Sequence, residues 1–92
     1  MIPQSFTIFG QEYLVKFVDS VDSKDSCGEC VPMENEIRIK KNMPLSLQEQ
    51  TFYHELCHCL LTNLSYGKLN DDEDLVDRLA QGLHQVMKTS KY

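Results

Sequence analysis

The residues best suited to chemistry lie in one stretch, His54, Glu55, Leu56, Cys57 and His58, which has the H-E-x-x-H spacing. Side chains four residues apart lie on one face of a helix, so both histidines can bind one metal ion. Glu55 follows the first histidine and can reach a water held by that ion. The pattern therefore predicts a zinc-dependent hydrolase, most simply a peptidase, with zinc as cofactor and Glu55 as general base.

The third metal ligand is predicted on a second helix, because catalytic zinc takes three protein ligands and keeps one open position. A helical wheel places both histidines on the margin of an apolar arc and turns Glu55 toward solvent. Glu73, Asp77 and His84 lie on the matching margin of the second helix. The short connection between the helices favours Glu73 or Asp77 over His84, with Asp77 also suited to orienting a ligating histidine.

A donor for the oxyanion of the reaction is expected near the end of the first helix. Tyr66 directly follows that helix and is the predicted catalytic donor, ahead of Tyr53 and His84.

The elements that must position these residues form an α+β fold in one domain, residues 1–92. Residues 5–18 read as a β-hairpin, and residues 27–31 and 36–40 as further strands. They predict a small antiparallel sheet of three to four strands. Two packed helices follow, at about residues 47–64 and 72–88. Ser46, with Glu49 three residues later, predicts a capping box, and Asn70 or Asp71 the second cap.

Composition narrows the class of partner. The chain has 92 residues and a net charge of −5, which argues against a nucleic-acid partner. Its Lys and Arg residues are scattered, and no apolar run approaches the ~20 residues of a membrane span. Without a recognisable signal peptide, a cytoplasmic, reducing location is expected, with all four cysteines reduced. The predicted partner is a protein or peptide substrate, and the oligomeric state is not readable.

The order of these motifs resembles a known class of enzyme. A short sheet is followed by H-E-L-x-H-x-L-L, Y-G-x-L-x-x-D-E-x-x-V and L-A-x-x-L-x-Q-V, over residues 6–87. This layout resembles the small phage-type zinc metallopeptidases of the HExxH gluzincin class, minimal relatives of the ImmA/IrrE-like and SprT-like peptidases. The resemblance implies a minimal zincin-like fold, zinc ligands His54, His58 and Glu73, and catalytic Glu55. It also implies work in the cytoplasm of a bacterium or a phage-infected cell.

Two other interpretations stay open from the sequence. Cys27 and Cys30 form a C-x-x-C pair that could join His54 and His58 in a closed structural zinc site. Alternatively, the chain keeps a zinc site but acts by binding a partner, for example as a phage factor that regulates a host protein. Glu55 would be dispensable in both cases.

Overall fold

The computed structural model describes residues 2–23 and 25–92. It confirms the predicted α+β architecture, a four-stranded sheet followed by two packed helices. The strands are β1 (Ser5–Ile8), β2 (Gln11–Val18), β3 (Gly28–Val31) and β4 (Glu36–Lys40), and a 3₁₀ turn, Pro32–Glu34, joins the last two. The helices are α1 (Leu45–Asn63), the short α2 (Gly67–Asn70) and α3 (Glu73–Thr89).

The sheet differs from the prediction in the direction of one pairing. Its strand order is β1-β2-β4-β3, and β1 with β2 and β3 with β4 are antiparallel as expected. β2 and β4 instead run parallel, with Val15 opposite Ile37 and Phe17 opposite Ile39. The loop after β2 carries the chain past the position of β4 to β3, and β4 then returns between them. The sheet is therefore mixed, and β3 forms one of its two edges.

Helix α1 packs across the sheet because its apolar face meets the alternating strand residues. Ile37 and Ile39 of β4 are fully buried, as their alternation predicts, and Phe52 and Cys57 of α1 are almost fully buried in the same core. Helix α3 joins this core through Val76 and Ala80. No helix in the described ranges combines the length and apolarity needed to cross a bilayer.

The helix ends differ from the predicted caps. Pro44 is the N-cap of α1, and Gln48 N donates to Pro44 O at 3.0 Å, so Ser46 lies inside the first turn and does not cap it. Proline has no backbone N–H to satisfy, which suits it to the start of a helix. Asp72 caps α3 in place of Asn70 or Asp71, since its Oδ1 accepts from Leu75 N at 3.1 Å.

The cysteines also depart from the prediction, which expected four free thiols. Cys30 of β3 and Cys59 of α1 form a disulfide with their Cα atoms 6.3 Å apart. Cys27 and Cys57 are free. The two bonded residues are 29 positions apart, so the pair follows from the packing of β3 on α1, which their spacing does not encode.

Candidate metal centre

Three side chains from the two long helices converge on one point. His54 and His58 lie one turn apart on α1, with ring centroids separated by 4.9 Å. Glu73, the first residue of α3, reaches both rings. Its Oε2 lies 3.3 Å from His54 Nε2, and its Oε1 lies 3.2 Å from His58 Nε2. One ligand atom from each residue falls within 4.8 Å of the others, so the group can hold a metal ion.

The connection between the helices explains why Glu73 reaches the histidines. Ser65 adopts a left-handed conformation (φ 62°) directly after α1 and turns the chain. The single turn of α2 then brings Asp72 into position to cap α3. Because capping starts α3 at Glu73, its carboxylate lies in the first helical turn, beside the end of the HExxH stretch. The sequence left Glu73 and Asp77 open, and the structure places Glu73 between the two Nε2 atoms.

The Nδ1 atom of each histidine faces a neighbouring polar side chain. His58 Nδ1 donates to Asn70 Oδ1 at 2.7 Å, and Asn70 Nδ2 donates in turn to Thr62 Oγ1 at 3.1 Å. His54 Nδ1 lies 3.4 Å from Asp77 Oδ1. The hydrogen bond at His58 Nδ1 leaves the lone pair of that ring on Nε2, the atom that faces Glu73. The donor set therefore fits a divalent ion, and an orienting role of Asp77 stays a prediction.

The sequence predicts Asn70 only as a candidate helix cap and gives no sign of its contact with His58. Its contact with His58 depends on the turn of α2, and no spacing rule relates residues 58 and 70.

Glu55 is buried, with 9% of its surface exposed, so the prediction that it leans toward solvent is wrong. Strand β3 covers it at Gly28. A Cβ atom added to Gly28 would lie 2.6 Å from Thr51 Cγ2 and 3.6 Å from Glu55 Cγ, so only glycine lets β3 approach α1 this closely.

Burial raises the pKa of the Glu55 carboxyl above its ordinary value. Positive charge on His54 and His58 acts against this shift, and the carboxylates of Glu73 and Glu29 add to it. A carboxylate with a raised pKa is a stronger proton acceptor than an ordinary glutamate. Glu55 therefore has the environment of a general acid–base group.

Two clefts meet at His54 and Glu55 and follow the edge strand β3. The smaller, of about 250 Å³, is lined by residues of α1 including Leu47, Gln50 and Thr51, and by Asp77. The larger, of about 490 Å³, is lined by Cys30, Thr62, Asn70 and Glu73. Both clefts share the following residues: Ser26, Gly28, His54 and Glu55. The metal-ligand group, formed by His54, His58 and Glu73, therefore opens into a groove that runs along β3.

The remaining candidate residues lie elsewhere. Tyr66 is 55% exposed and is not among the residues that line the two clefts, so its role as oxyanion donor stays a prediction. Tyr53 and His84 stack on each other with ring centroids 5.4 Å apart, and His84 Nε2 lies 3.3 Å from Glu49 Oε1. Their cleft is separate from the metal-ligand group.

The closed Cys2His2 site is contradicted by the structure. Cys30 is bonded to Cys59, and Cys27 lines the smaller cleft without joining the histidines. Within residues 2–23 and 25–92, the group able to hold a metal is the histidine–carboxylate one.

No protein-family model, curated protein or solved structure matches the chain. The functional argument therefore rests on the geometry of the site.

Proposed function

We propose that the protein is a zinc-dependent metallopeptidase that hydrolyses peptide bonds. One observation carries the proposal: the Glu73 carboxylate lies 3.2 and 3.3 Å from the two imidazole Nε2 atoms, in a group whose ligand atoms fall within 4.8 Å of one another, and buried Glu55 lines the same cleft. Two histidines and one carboxylate are a ligand set of catalytic zinc, although other divalent ions also bind such sites. A purely structural site has no need for a buried carboxyl that is not a ligand.

The residues of the chain have separable roles in this proposal. His54, His58 and Glu73 would hold the ion, which when bound supplies a Lewis acid for the scissile carbonyl and for water. Glu55 removes a proton from the attacking water and returns it to the leaving amine. Asn70 accepts from His58 Nδ1 and holds that ring with Nε2 facing Glu73, and Asp77 lies beside Nδ1 of His54, where it could orient the second ring.

The substrate would lie along β3 as an added strand. An edge strand offers unpaired N–H and C=O groups to an extended peptide, and β3 is an edge strand that borders both clefts. Its four residues span roughly 13 Å, enough for a few substrate residues. A flexible peptide or an exposed protein segment is therefore the expected substrate.

The test combines metal binding with turnover. Zinc content and cleavage of a fluorogenic peptide library are measured for the wild type, Glu55→Gln and Glu73→Ala. We expect Glu55→Gln to keep one zinc per chain and lose at least 100-fold in turnover, because general-base catalysis contributes about 10²–10⁴-fold. Glu73→Ala should lose zinc and turnover together.

A non-enzymatic, zinc-stabilised binding or regulatory protein is the second candidate, favoured by the shortness of β3. In that case the wild type binds one zinc but cleaves no peptide of the library, and Glu55→Gln behaves as the wild type. Zinc that stays bound after Glu73→Ala would contradict the ligand set in both candidates.

A further inference from the structure

The Cys30–Cys59 disulfide ties the edge strand of the groove to the helix that carries both histidines. Cys30 lies in the middle of β3, and Cys59 follows His58 directly on α1. Their Cα separation of 6.3 Å is within the range that a disulfide spans. Since β3 pairs with β4 on one side only, this bond is its covalent attachment to α1.

The two sulfurs differ in access. Cys59 is fully buried, whereas Cys30 is partly exposed and lines the larger cleft. A small thiol entering the cleft can therefore reach Cys30 Sγ, while protein atoms shield Cys59. Exchange requires a thiolate to attack one of the two sulfurs, so access decides which sulfur reacts.

Cys27 does not supply an internal thiol for this reaction. Cys27 directly precedes β3, and the extended residues between it and Cys30 separate the two Cα atoms by roughly 10 Å. That distance exceeds the limit for a disulfide. The other free cysteine, Cys57, is buried on α1 two residues before Cys59, and side chains two positions apart on a helix do not face each other, so the reductant we consider comes from outside.

We propose that Cys30–Cys59 is a reversible thiol–disulfide site. When oxidised it attaches β3 covalently to α1, and dithiols reduce it. A thiolate of the dithiol attacks Cys30 Sγ, the S–S bond breaks, and the Cys59 sulfur leaves and takes up a proton. The second thiol of the reductant then loses its proton and attacks the reductant's first sulfur in the mixed disulfide. The bond to Cys30 breaks, and the Cys30 sulfur leaves and takes up a proton. The protein gains two electrons and two protons, and the dithiol becomes a cyclic disulfide.

Reduction acts on β3 and spares the metal ligands. Without the bond, β3 keeps its ladder to β4, but only non-covalent packing at Gly28 holds it against Thr51 and Glu55 of α1. The ligands lie on α1 and α3, which the bond does not connect. The reduced state therefore keeps its metal and loses the closed groove. Loss of turnover on reduction, the one part that rests on the proposed peptidase function, follows from this.

The test compares oxidised and dithiothreitol-reduced protein, with thiol counts, thermal unfolding and hydrogen exchange as readouts. Denatured oxidised protein should show two thiols and reduced protein four. Opening a 29-residue loop should lower Tm by on the order of 15 °C, and oxidised glutathione should restore it. Exchange of β3 amides should accelerate at least tenfold, and Zn²⁺ affinity should change less than tenfold.

Two variants complete the design. Cys27→Ala removes a free cysteine near β3 and should respond to the dithiol as the wild type does. Cys30→Ala should resemble the reduced protein in Tm and β3 exchange, and dithiothreitol should change neither. Four thiols in protein treated with oxidised glutathione, or equal Tm and β3 exchange in both redox states, would overturn the proposal. These readouts need no turnover. An inactive protein would therefore overturn the peptidase proposal, while the disulfide proposal would still be decided by thiol counts, Tm and β3 exchange.

Discussion

Replacing Asn70 by alanine should weaken metal binding at the proposed site, although Asn70 is not one of the three proposed ligands. Its Oδ1 accepts the proton of His58 Nδ1 at 2.7 Å, which fixes both the tautomer and the ring orientation of His58. Without this acceptor the ring can rotate, and its proton can move to Nε2, the nitrogen that faces Glu73. Both changes must be reversed before His58 can bind the ion, which lowers the affinity.

The expected loss of metal affinity depends on the kind of hydrogen-bond acceptor that is removed from His58. Loss of a group that orients a metal-bound histidine costs about 10–100-fold in metal affinity. Asn70 is neutral, and the hydrogen bonds of neutral groups are about half as strong as charged ones. The His58 ring also remains partly exposed, so water can replace the lost acceptor. We therefore expect a 10- to 30-fold weaker Kd, or about 1.4–2 kcal/mol.

Competition with a chromophoric zinc chelator measures this Kd directly. Thr62→Val is the matched control, because it removes only the bond from Asn70 Nδ2 at 3.1 Å, and it should weaken binding about threefold or less. Asn70→Asp keeps an acceptor for Nδ1 and should bind zinc at least as tightly as the wild type. Should Asn70→Ala bind zinc with wild-type affinity and unchanged helix content, the contact at Nδ1 does not orient His58 and the reasoning fails.

The remaining predictions concern the buried side of α1. Because burial raises the pKa of Glu55, its contribution to stability is fully present below its ordinary pKa of 4.5 and is lost as pH rises through the higher folded value. In urea unfolding of the metal-free protein, the free energy of unfolding of Glu55→Gln should therefore increase relative to that of the wild type between pH 4.5 and neutrality. A difference between the two that does not depend on pH would contradict the buried-carboxyl argument. Gly28→Ala should destabilise by about 1–3 kcal/mol, because the new methyl group would lie 2.6 Å from Thr51 Cγ2 and 2.7 Å from Arg38 O. Gly82→Ala, which meets nothing within 4 Å on α3, should instead stabilise by about 0.5–1 kcal/mol, and equal effects of both substitutions in thermal unfolding would show that β3 does not approach α1 closely.

Local patterns in the sequence predict the helices and the ligands that lie on them. The spacing of His54 and His58 requires only one helix, and the short connection limits where the start of α3 can lie. The position of Glu73 could therefore be anticipated to within one turn. The orientation of Glu55 could not, because a helical wheel describes α1 alone and does not include the strand that packs on it through Gly28.

Contacts between distant parts of the chain explain the other differences. The parallel pairing of β2 with β4 depends on the path of the loop between β2 and β3, which alternation within a strand does not encode. The Cys30–Cys59 bond depends on the same placement of β3. Asn70 reaches His58 only because one helical turn separates α1 from α3. Each of these features requires knowing which elements are neighbours.

Two elements that line the groove, α3 and β3, are each attached to helix α1, but by different kinds of bond. The metal-ligand group joins it to the start of α3 through Glu73, and the disulfide joins it to β3 through Cys30. A domain of 92 residues buries a modest core, so a bound metal and a disulfide would contribute a large share of its stability. Chelation should therefore loosen the start of α3 and leave β3 protected, while reduction should do the reverse. Hydrogen exchange that rises at both places under either treatment would mean that the two walls are one cooperative unit.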